Sequence, residues 1–229
     1  MKKFNVGILG ATGVVGQNYI KLLQNHPWFQ IVDVAASPRS ANKTYQEAVK
    51  QKWQMTFSIP KDIKDLVIRD VQDFNSLGNE VDFVFSAINL PDKNDIKKLE
   101  FKYAENGMPV ISNNSAHRWT PDVPMIIGEI NHEHINLIPI QQKRRGFNRG
   151  FVVVKPNCSL QSYLTPIYAL ENVGYKVSNL IITTLQAVSG AGYPGVSSMD
   201  LIDNIVPYID GEEEKTEKEP LKILGRIGE

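Results

Sequence analysis

Cysteine occurs only once in the 229 residues, at Cys158. A single cysteine excludes an intramolecular disulfide, and the start MKKFNVGILGATG has no cleavage site typical of a signal peptide. No apolar run approaches the length of about 20 residues that a membrane-spanning helix needs. These absences predict a reducing, cytoplasmic setting and no membrane partner.

Neither sign of charge is in excess. Lys and Arg number 25, Asp and Glu number 25, and the formal net charge is zero. A balanced chain has no field that attracts a nucleic acid, so we expect a small-molecule partner instead. Apolar residues make up 42% and charged residues 22%, which is typical of a globular chain with one large domain or two modest ones.

A glycine-rich turn follows the first apolar run. FNVGILG is of strand type, it leads into GATGVVG, and QNYIKLLQNHP then has apolar residues at helical spacing. Glycines let such a turn approach a ligand closely, and the free N–H groups of the helix start bind a pyrophosphate. A purely structural turn is the alternative, because the spacing G-x-x-G-x-x-G departs from the commonest dinucleotide fingerprint. The residues predicted to bind the cofactor here are Gly10, Thr12, Gly13, Val14, Val15 and Gly16.

The second strand-like run, FQIVDVAA, is followed by SPRSANK. NAD-specific proteins usually place an acidic residue at the end of this strand, where it binds the ribose hydroxyls. Arg39, flanked by Ser37 and Ser40, instead offers a planar cation and two hydroxyls to a ribose 2′-phosphate. The loop therefore favours NADP over NAD, and the alternative is a solvated loop with a surface arginine.

Strand and helix patterns continue to alternate along the first 150 residues. VDFVFSA and MPVIS read as strands, and LPDKNDIKKLEFKYAENG between them reads as a helix. This alternation predicts an α/β fold with a parallel sheet, a Rossmann-type NADP-binding domain over residues 1–150. The polar stretch NNSAHR lies after MPVIS, at the sheet edge where such folds bind ligands, so Asn114 and Arg118 are candidates for an anion site. A surface or helix-capping role is the alternative for Arg118.

The only cysteine stands where a strand meets a helix. FVVVKP reads as a strand that opens a second domain, over residues 151–229, and CSLQSYLTPIYALENVG reads as a helix. The partial positive charge of a helix start favours the thiolate form of Cys158, which is the reactive form. A buried, inert cysteine is the alternative, but polar neighbours on both sides favour a nucleophile.

Six segments together resemble one enzyme family. GILGATGVVGQ, SPRS, SNNSAHR, KPNCS, LQAVSGAGYPG and VPYIDGEEEK occur in the order and at the spacings of aspartate-semialdehyde dehydrogenases, particularly the archaeal and fungal branch. The resemblance spans essentially the whole chain. It implies an α/β fold in which the NADP-binding domain precedes an α+β catalytic and dimerisation domain, with Cys158 as the acyl-thioester nucleophile.

The resemblance also assigns roles to other residues. It implies substrate contacts for Gln186 and places Ser189 and Gly190 beside the nicotinamide. Arg118 matches the phosphate-binding arginine of the family, and Glu212 and Lys215 match its substrate and phosphate segment. Without the family, GEEEKTEKE reads as a solvated, charged helix face. Asn42 stands where the family has a glycine in the 2′-phosphate loop, and Asn157 is expected to help stabilise an oxyanion.

The implied reaction is the NADPH-dependent reductive dephosphorylation of L-aspartyl-4-phosphate to L-aspartate 4-semialdehyde, in the biosynthesis of lysine, methionine and threonine. Two relatives of the same fold are alternatives: a malonyl-CoA reductase and an N-acetyl-glutamyl-phosphate reductase. Glu212 and Lys215 disfavour both, because neither substrate carries an ammonium group to pair with that carboxylate. A third alternative is an NADP-binding module without catalysis.

No histidine has the family's general-base motif. His26, His132 and His134 read as solvated or capping residues, and His117 lies near the site by motif but has no base role in the family. The family base lies downstream of the residues present here. We therefore expect an N-terminal fragment with an incomplete catalytic domain, no metal ion, and a homodimer or homotetramer when full length.

Overall fold

The computed structural model describes residues 2–78 and 80–228. The six strands are β1 Phe4–Leu9, β2 Phe29–Ala36, β3 Arg69–Asp70, β4 Phe83–Ser86, β5 Val110–Ser112 and β6 Val152–Val154. The α-helices are α1 Val14–Leu23, α2 Tyr45–Val49, α3 Lys61–Lys64, α4 Lys93–Glu105, α5 Gly128–Asn131, α6 Leu137–Arg145, α7 Cys158–Asn172, α8 Ser198–Leu201 and α9 Glu212–Ile223. Two 3₁₀ turns lie at His132–Asn136 and Val188–Ala191.

All six strands form one parallel sheet in the order β3-β2-β1-β4-β5-β6. This order changes direction between β1 and β4, and Rossmann-type sheets bind dinucleotides at that point, outside the carboxyl ends of the strands. The predicted α/β, Rossmann-type fold is therefore confirmed. Strand β3 was missed by the sequence analysis, because two residues are too few to show a period.

The chain divides into two compact units. The first unit, called the sheet unit below, comprises Met1–Pro124 and Asn136–Val154, and the second, called the cysteine unit, comprises Met125–Ile135 and Lys155–Glu229. The sequence placed a boundary at residue 150 and assigned FVVVKP to the second domain. In the structure β6 pairs with β5, since Val110 lies opposite Val152, so this strand packs within the sheet unit.

The core of the sheet unit follows from the apolar runs. Val6, Ile8 and Leu9 of β1 are fully buried, as expected for a strand covered on both faces. Ile20 of α1 packs against the same cluster. The buried Tyr45 also makes a polar contact with the glycine turn, because its hydroxyl donates a hydrogen bond to the carbonyl oxygen of Ala11 at 2.9 Å.

The cysteine unit is built differently. Helices α7 and α9 contact each other, and Leu160 and Leu164 form the buried part of the apolar face predicted for α7. The described residues between α7 and α9 form two short helical turns and no strand. Large apolar side chains are exposed in this segment, among them Ile181 at 96% and Leu185 at 94%. Within residues 2–78 and 80–228, no helix is long and apolar enough to cross a membrane.

Candidate functional site

The glycine turn is shaped by contacts that exclude larger residues. Gly10 has a φ of +79°, in the left-handed region, and a Cβ there would collide with the carbonyl oxygen of Ala87 just beyond β4. A Cβ on Gly16 would collide with the main chain of Gly10 and Ala11. The turn therefore brings the start of α1 close to the carboxyl ends of β1 and β4, where a dinucleotide binds in this fold.

The surface of this turn is open to a ligand. Gly13 is exposed, caps α1 with extended backbone and has no side chain to cover the helix start, and Val15 is 42% exposed. Thr12 and Val14 are half-buried beside it. The N–H groups of the first turn of α1 thus have no side-chain cap and are available to a ligand.

Gln17 holds the turn in place, and the sequence analysis missed it. Its side-chain amide is buried and donates to the carbonyl oxygens of Thr12 at 3.0 Å and Lys52 at 2.8 Å, while its oxygen accepts the backbone N–H of Gln54 at 2.8 Å. The available signal was its position, since Gln17 lies one residue from Gly16 and three from Ile20 on the inner face of α1.

The loop after β2 lies at the same sheet edge as the glycine turn, because β1 and β2 are adjacent and parallel. Ser37 and Arg39 are exposed and Ser40 is buried, with its N–H bonded to the Ser37 carbonyl oxygen at 2.9 Å. Lys43 donates to the Arg39 carbonyl oxygen at 3.0 Å. Asn42 has a φ of +63°, so it adopts the left-handed conformation that glycine favours.

The segment after β5 is tied to helix α4. Asn114 donates its backbone N–H to Ser112 Oγ at 3.1 Å and its side-chain amide to Glu100 Oε1 at 3.3 Å. Arg118 is 7% exposed, and its N–H bonds to the Ser115 carbonyl oxygen at 3.2 Å. Arg118 is therefore not a surface residue, and its predicted role in binding an anion stays a prediction.

His117, in the same segment, is fully buried. Its Nδ1 lies 3.1 Å from Thr120 Oγ1 and its Nε2 lies 3.3 Å from the carbonyl oxygen of Lys97. Burial lowers the pKa of His117 to about 4, although the bond to Lys97 opposes this. The ring is thus a neutral, enclosed group of the sheet unit.

In the cysteine unit, Cys158 is the first residue of α7, as predicted, and it is exposed. Cys158 is therefore not a buried core residue, and its reactivity stays a prediction. Its Sγ lies 3.2 Å from Asn157 Oδ1, which accepts a hydrogen bond from the thiol. Asn157 is buried, and its Nδ2 donates to Glu212 Oε1 at 2.8 Å, so the side chain that contacts the thiol is itself held in place.

Glu212 joins four other side chains of the cysteine unit. Besides Asn157, its Oε1 accepts from Ser159 Oγ at 2.9 Å and from Gln186 Nε2 at 3.0 Å, and its Oε2 lies 3.4 Å from Lys215 Nζ. Burial raises the pKa of this carboxyl, but the hydrogen bonds and Lys215 outweigh it, so the net shift is downward. Glu212 is therefore a carboxylate at neutral pH, and it connects Asn157, Gln186 and Lys215, three of the predicted site residues.

The reading of GEEEKTEKE as a solvated helix face is wrong for part of α9. Glu213, Glu214 and Glu217 are exposed, whereas Glu219 is buried and its Oε2 accepts the backbone N–H of Asn157 at 2.7 Å. Glu219 was missed by the sequence analysis. Its spacing from Glu212 was the signal, because residues seven apart lie on the same helix face.

Family profiles match most of the chain. The profile described as "Semialdehyde dehydrogenase, NAD binding domain" matches residues 5–138, which is more than half of the chain. The chain belongs to the semialdehyde dehydrogenase family. A second profile of the family, described as "Semialdehyde dehydrogenase, dimerisation domain", matches residues 164–229.

Individual members of the family are similar over nearly the whole chain. The aspartate-semialdehyde dehydrogenase of Methanothermobacter thermautotrophicus is 45% identical over 98% of this chain and 62% of that protein. The enzyme of the same name from Schizosaccharomyces pombe is 40% identical over 97% of this chain and 60% of that protein. The chain thus spans about three fifths of the length of these relatives, and the predicted resemblance is confirmed.

A solved structure supports the same relationship. The aspartate semialdehyde dehydrogenase of Candida albicans, solved with NADP, superposes with a TM-score of 0.80 at 38% identity, over 99% of this chain and 62% of that one. The family membership and the fold therefore rest on both sequence and structure.

The predicted site residues of this chain fall in both units. The glycine turn, the Ser37–Ser40 loop, Asn114 and Arg118 belong to the sheet unit, whereas the residues around Cys158 belong to the cysteine unit. Ser189 and Gly190 also lie in the cysteine unit, exposed in the 3₁₀ turn Val188–Ala191. Their predicted place beside the nicotinamide stays a prediction.

The other three histidines differ in their exposure and in their hydrogen bonds. His134 is buried, its Nδ1 accepting from Asn131 Nδ2 at 2.9 Å and its Nε2 lying 3.1 Å from the Gly225 carbonyl oxygen, so the prediction of a solvated or capping residue is wrong. His132 is exposed, as predicted. His26 accepts the N–H groups of Trp28 and Phe29 at 3.2 and 3.3 Å and closes the turn after α1.

Proposed function

We propose that this chain is the nucleotide-binding part and the nucleophile-bearing start of the catalytic part of an NADP-dependent aspartate-semialdehyde dehydrogenase. The reaction is the reductive dephosphorylation of L-aspartyl-4-phosphate to L-aspartate 4-semialdehyde. One observation carries the proposal: the exposed Cys158 opens a helix, and the Asn157 that contacts it is held by Glu212, which also binds Gln186 and Lys215. The family membership supports the same reading.

The residues of the sheet unit fit a dinucleotide. The close approach at Gly10 and Gly16 leaves room for no side chain, and the uncapped start of α1 offers N–H groups to a pyrophosphate. The exposed Arg39 and Ser37 sit after β2, where a ribose 2′-phosphate lies in this fold. NADP is therefore the cofactor we assign, as in the Candida albicans structure.

The first chemical step uses the thiolate of Cys158. Its sulfur attacks the acyl carbon of the substrate, the carbon–oxygen bond to phosphate breaks, and phosphate leaves with the bonding electrons, which gives a thioester. The N–H groups at the start of α7 face the oxyanion of the tetrahedral intermediate, and one such donor is worth about 3 kcal/mol. Asn157 Oδ1 accepts a hydrogen bond from the thiol form of Cys158, and one N–H of the Asn157 amide binds Glu212, which leaves the second N–H for the oxyanion.

The second step consumes the reduced cofactor, since NADPH supplies a hydride when bound. With the cofactor bound, addition of this hydride to the thioester carbon would give a thiohemiacetal alkoxide, whose carbon–sulfur bond breaks to release the aldehyde and the thiolate of Cys158. Glu212 and Lys215 offer the substrate opposite charges, a carboxylate for its ammonium and a cation for its phosphate. Arg118 and Asn114 are assigned to the phosphate.

Neither histidine of the cysteine unit suits the role of general base. Both ring nitrogens of His134 have hydrogen-bond partners within the unit, and His132 is exposed beside Glu133, 3.8 Å from its carboxylate. A general base must reach the proton it abstracts. We therefore propose that the base lies outside the cysteine unit residues described here.

Association of the whole protein is the last part of the proposal. The dimerisation profile covers residues 164–229, and Ile181, Leu185 and Ile205 of that region are among its most exposed apolar side chains. Exposed apolar surface of this kind marks a protein contact. We assign the association of subunits, as a homodimer or homotetramer, to this region.

The test measures NADPH oxidation with β-aspartyl phosphate, for this chain and for the full-length gene product side by side, with Cys158→Ser as the matched control. We expect turnover by the full-length protein, none by its Cys158→Ser variant, and NADP binding by all three. Turnover that survives Cys158→Ser would contradict the thioester route, and turnover with an acyl-CoA but not the acyl phosphate would point to the reductase alternative.

A further inference from the structure

Glu100 is a buried carboxyl that the proposed mechanism does not use. It lies on α4, is fully buried, and its Oε1 accepts three hydrogen bonds: from Ser86 Oγ at 2.6 Å, from Ser112 Oγ at 2.7 Å and from Asn114 Nδ2 at 3.3 Å. One carboxyl oxygen thus accepts hydrogen bonds from the end of β4 and from the end of β5 with the segment that follows it.

The donors share a location. Ser86 and Ser112 are the last residues of β4 and β5, and they lie opposite each other in the register of the sheet. Asn114 lies two residues after the end of β5, and its backbone N–H bonds to Ser112 Oγ at 3.1 Å. Asn113 donates its N–H to the Ser86 carbonyl oxygen at 2.9 Å. Glu100 therefore fixes two strand ends and the side chain that follows them.

The other oxygen of Glu100 is unusual. Among residues 2–78 and 80–228, Glu100 Oε2 is the one buried side-chain oxygen or nitrogen without a hydrogen-bond partner, and His117 Nε2 lies 3.9 Å from it. Burial raises the pKa of Glu100 more than its three hydrogen bonds lower it. This buried carboxyl is therefore harder to ionise than a carboxyl in water.

We propose that Glu100 is a positioning residue for phosphate binding, acting through the Asn114 side chain and the segment that leads to Arg118. This inference rests on the proposed function, which assigns Asn114 and Arg118 to the substrate phosphate. A side chain that only filled the core would not need three polar contacts directed to one oxygen. Glu100 preorganises the segment, so its loss affects phosphate affinity more than cofactor affinity.

The test compares three variants of this chain. Glu100→Met removes the acceptor and keeps the volume. Glu100→Gln keeps an oxygen for the three donors and puts an amide where Oε2 has no partner among the described residues. Ile96→Ala is the matched control, because Ile96 is buried one turn earlier on α4 and contributes no polar contact to the segment. The affinities for inorganic phosphate and NADP are measured by calorimetric titration, and thermal stability is measured in parallel.

We expect Glu100→Met to weaken phosphate binding about tenfold or more and to change NADP binding by less than about twofold. Glu100→Gln restores phosphate binding to within about threefold, and Ile96→Ala leaves it unchanged despite a comparable loss of thermal stability. Should Glu100→Met fail to fold, Ser112→Ala removes one donor to Glu100 together with the acceptor for Asn114 and is expected to weaken phosphate binding less severely.

Two results would overturn the role of Glu100 and leave the proposed function standing: phosphate affinity unchanged in Glu100→Met, or weakened equally in Ile96→Ala. A third result would contradict the phosphate site of the proposed function itself. If the unmodified chain binds NADP but not phosphate, the assignment of Asn114 and Arg118 fails, and the role of Glu100 fails with it.

Discussion

The backbone N–H of Asn157 donates to the carboxylate of Glu219 across 2.7 Å, although 62 residues separate them in the chain. The same residue donates its side-chain amide to Glu212 at 2.8 Å. Both carboxylates lie on α9, so this helix fixes the main chain and the side chain of the residue that contacts Cys158. The nucleophile is thus positioned by a helix that it does not belong to.

Replacement of Glu219 tests this arrangement. Glu219→Leu leaves the buried N–H of Asn157 without its acceptor, so we expect the free energy of unfolding to fall by about 2 kcal/mol and the alkylation rate of Cys158 to change. Glu219→Gln keeps an acceptor and is expected to lose less than half as much. Glu217→Leu, at an exposed position of the same helix, is the control for urea denaturation. Equal losses at positions 217 and 219 would contradict the role of the buried bond.

Cys158 offers a direct measure of thiol reactivity, because it is the only cysteine. Its place at the start of α7 predicts faster alkylation by iodoacetamide at neutral pH than for a free model thiol. Inorganic phosphate or substrate is expected to slow the reaction by covering the thiol. Cys158→Ser is the blank, and mass spectrometry follows the labelling. A rate no higher than that of the model thiol in folded protein would argue against an activated nucleophile.

The preference for NADP is expected to depend on Arg39. Arg39→Ala removes the exposed guanidinium after β2, so we expect NADP affinity to fall about tenfold or more and NAD affinity to stay nearly constant. Arg144→Ala, at another exposed arginine of the sheet unit, is the control. Fluorescence titration with both reduced cofactors gives the ratio. Equal affinities of the unmodified chain for the two cofactors would sink the prediction.

A methyl group added to the glycine turn is expected to destabilise the fold and to weaken NADP binding. Gly16→Ala places a Cβ against the main chain of Gly10, which we expect to lower the free energy of unfolding by about 2 kcal/mol and to weaken NADP binding. Gly128→Ala is the matched control, because a Cβ there meets no atom within 4 Å and the backbone is not left-handed. Urea denaturation and NADP titration check both effects. Wild-type behaviour of Gly16→Ala would show that the turn can move aside.

His117 predicts an acid-sensitive contribution to stability. Its pKa is lowered to about 4 by burial, from an ordinary value of 6.5, so the unfolded chain binds more protons than the folded one between these values. Above pH 6.5 the ring is neutral in both the folded and the unfolded state, so His117 causes no loss of stability there. As the pH falls from 6.5 toward 4, the folded state loses stability. At pH 5 this amounts to about 2 kcal/mol relative to pH 7.

The measurement is urea denaturation at pH 7 and pH 5 for the unmodified chain, for His117→Phe and for the exposed control His132→Gln. Glu100 shifts stability in the opposite sense, since its pKa is raised, and therefore only the difference between variants isolates His117. We expect the loss between pH 7 and pH 5 to shrink in His117→Phe alone. The same loss in all three proteins would show that His117 is protonated as readily in the folded state as in the unfolded chain.

The sequence by itself determined the elements with a strong local period. The run from Phe4 to Leu9, the glycine turn and α1 follow from apolar spacing and from the glycines, and the alternation of such units specifies the parallel sheet. The position of Cys158 at a helix start also follows locally, because Pro156 ends one apolar run and helical spacing begins after it.

Only the tertiary structure decided which polar side chains are buried and what they bind. Glu219 and Glu217 are the same residue type on one helix, yet one is buried against Asn157 and the other is exposed. Glu100 reaches two strand ends, and His134 reaches the Gly225 carbonyl oxygen 91 residues away. Local spacing carries information over a few turns of backbone, whereas a buried polar group is satisfied by whichever donor or acceptor the packing of distant segments brings to it.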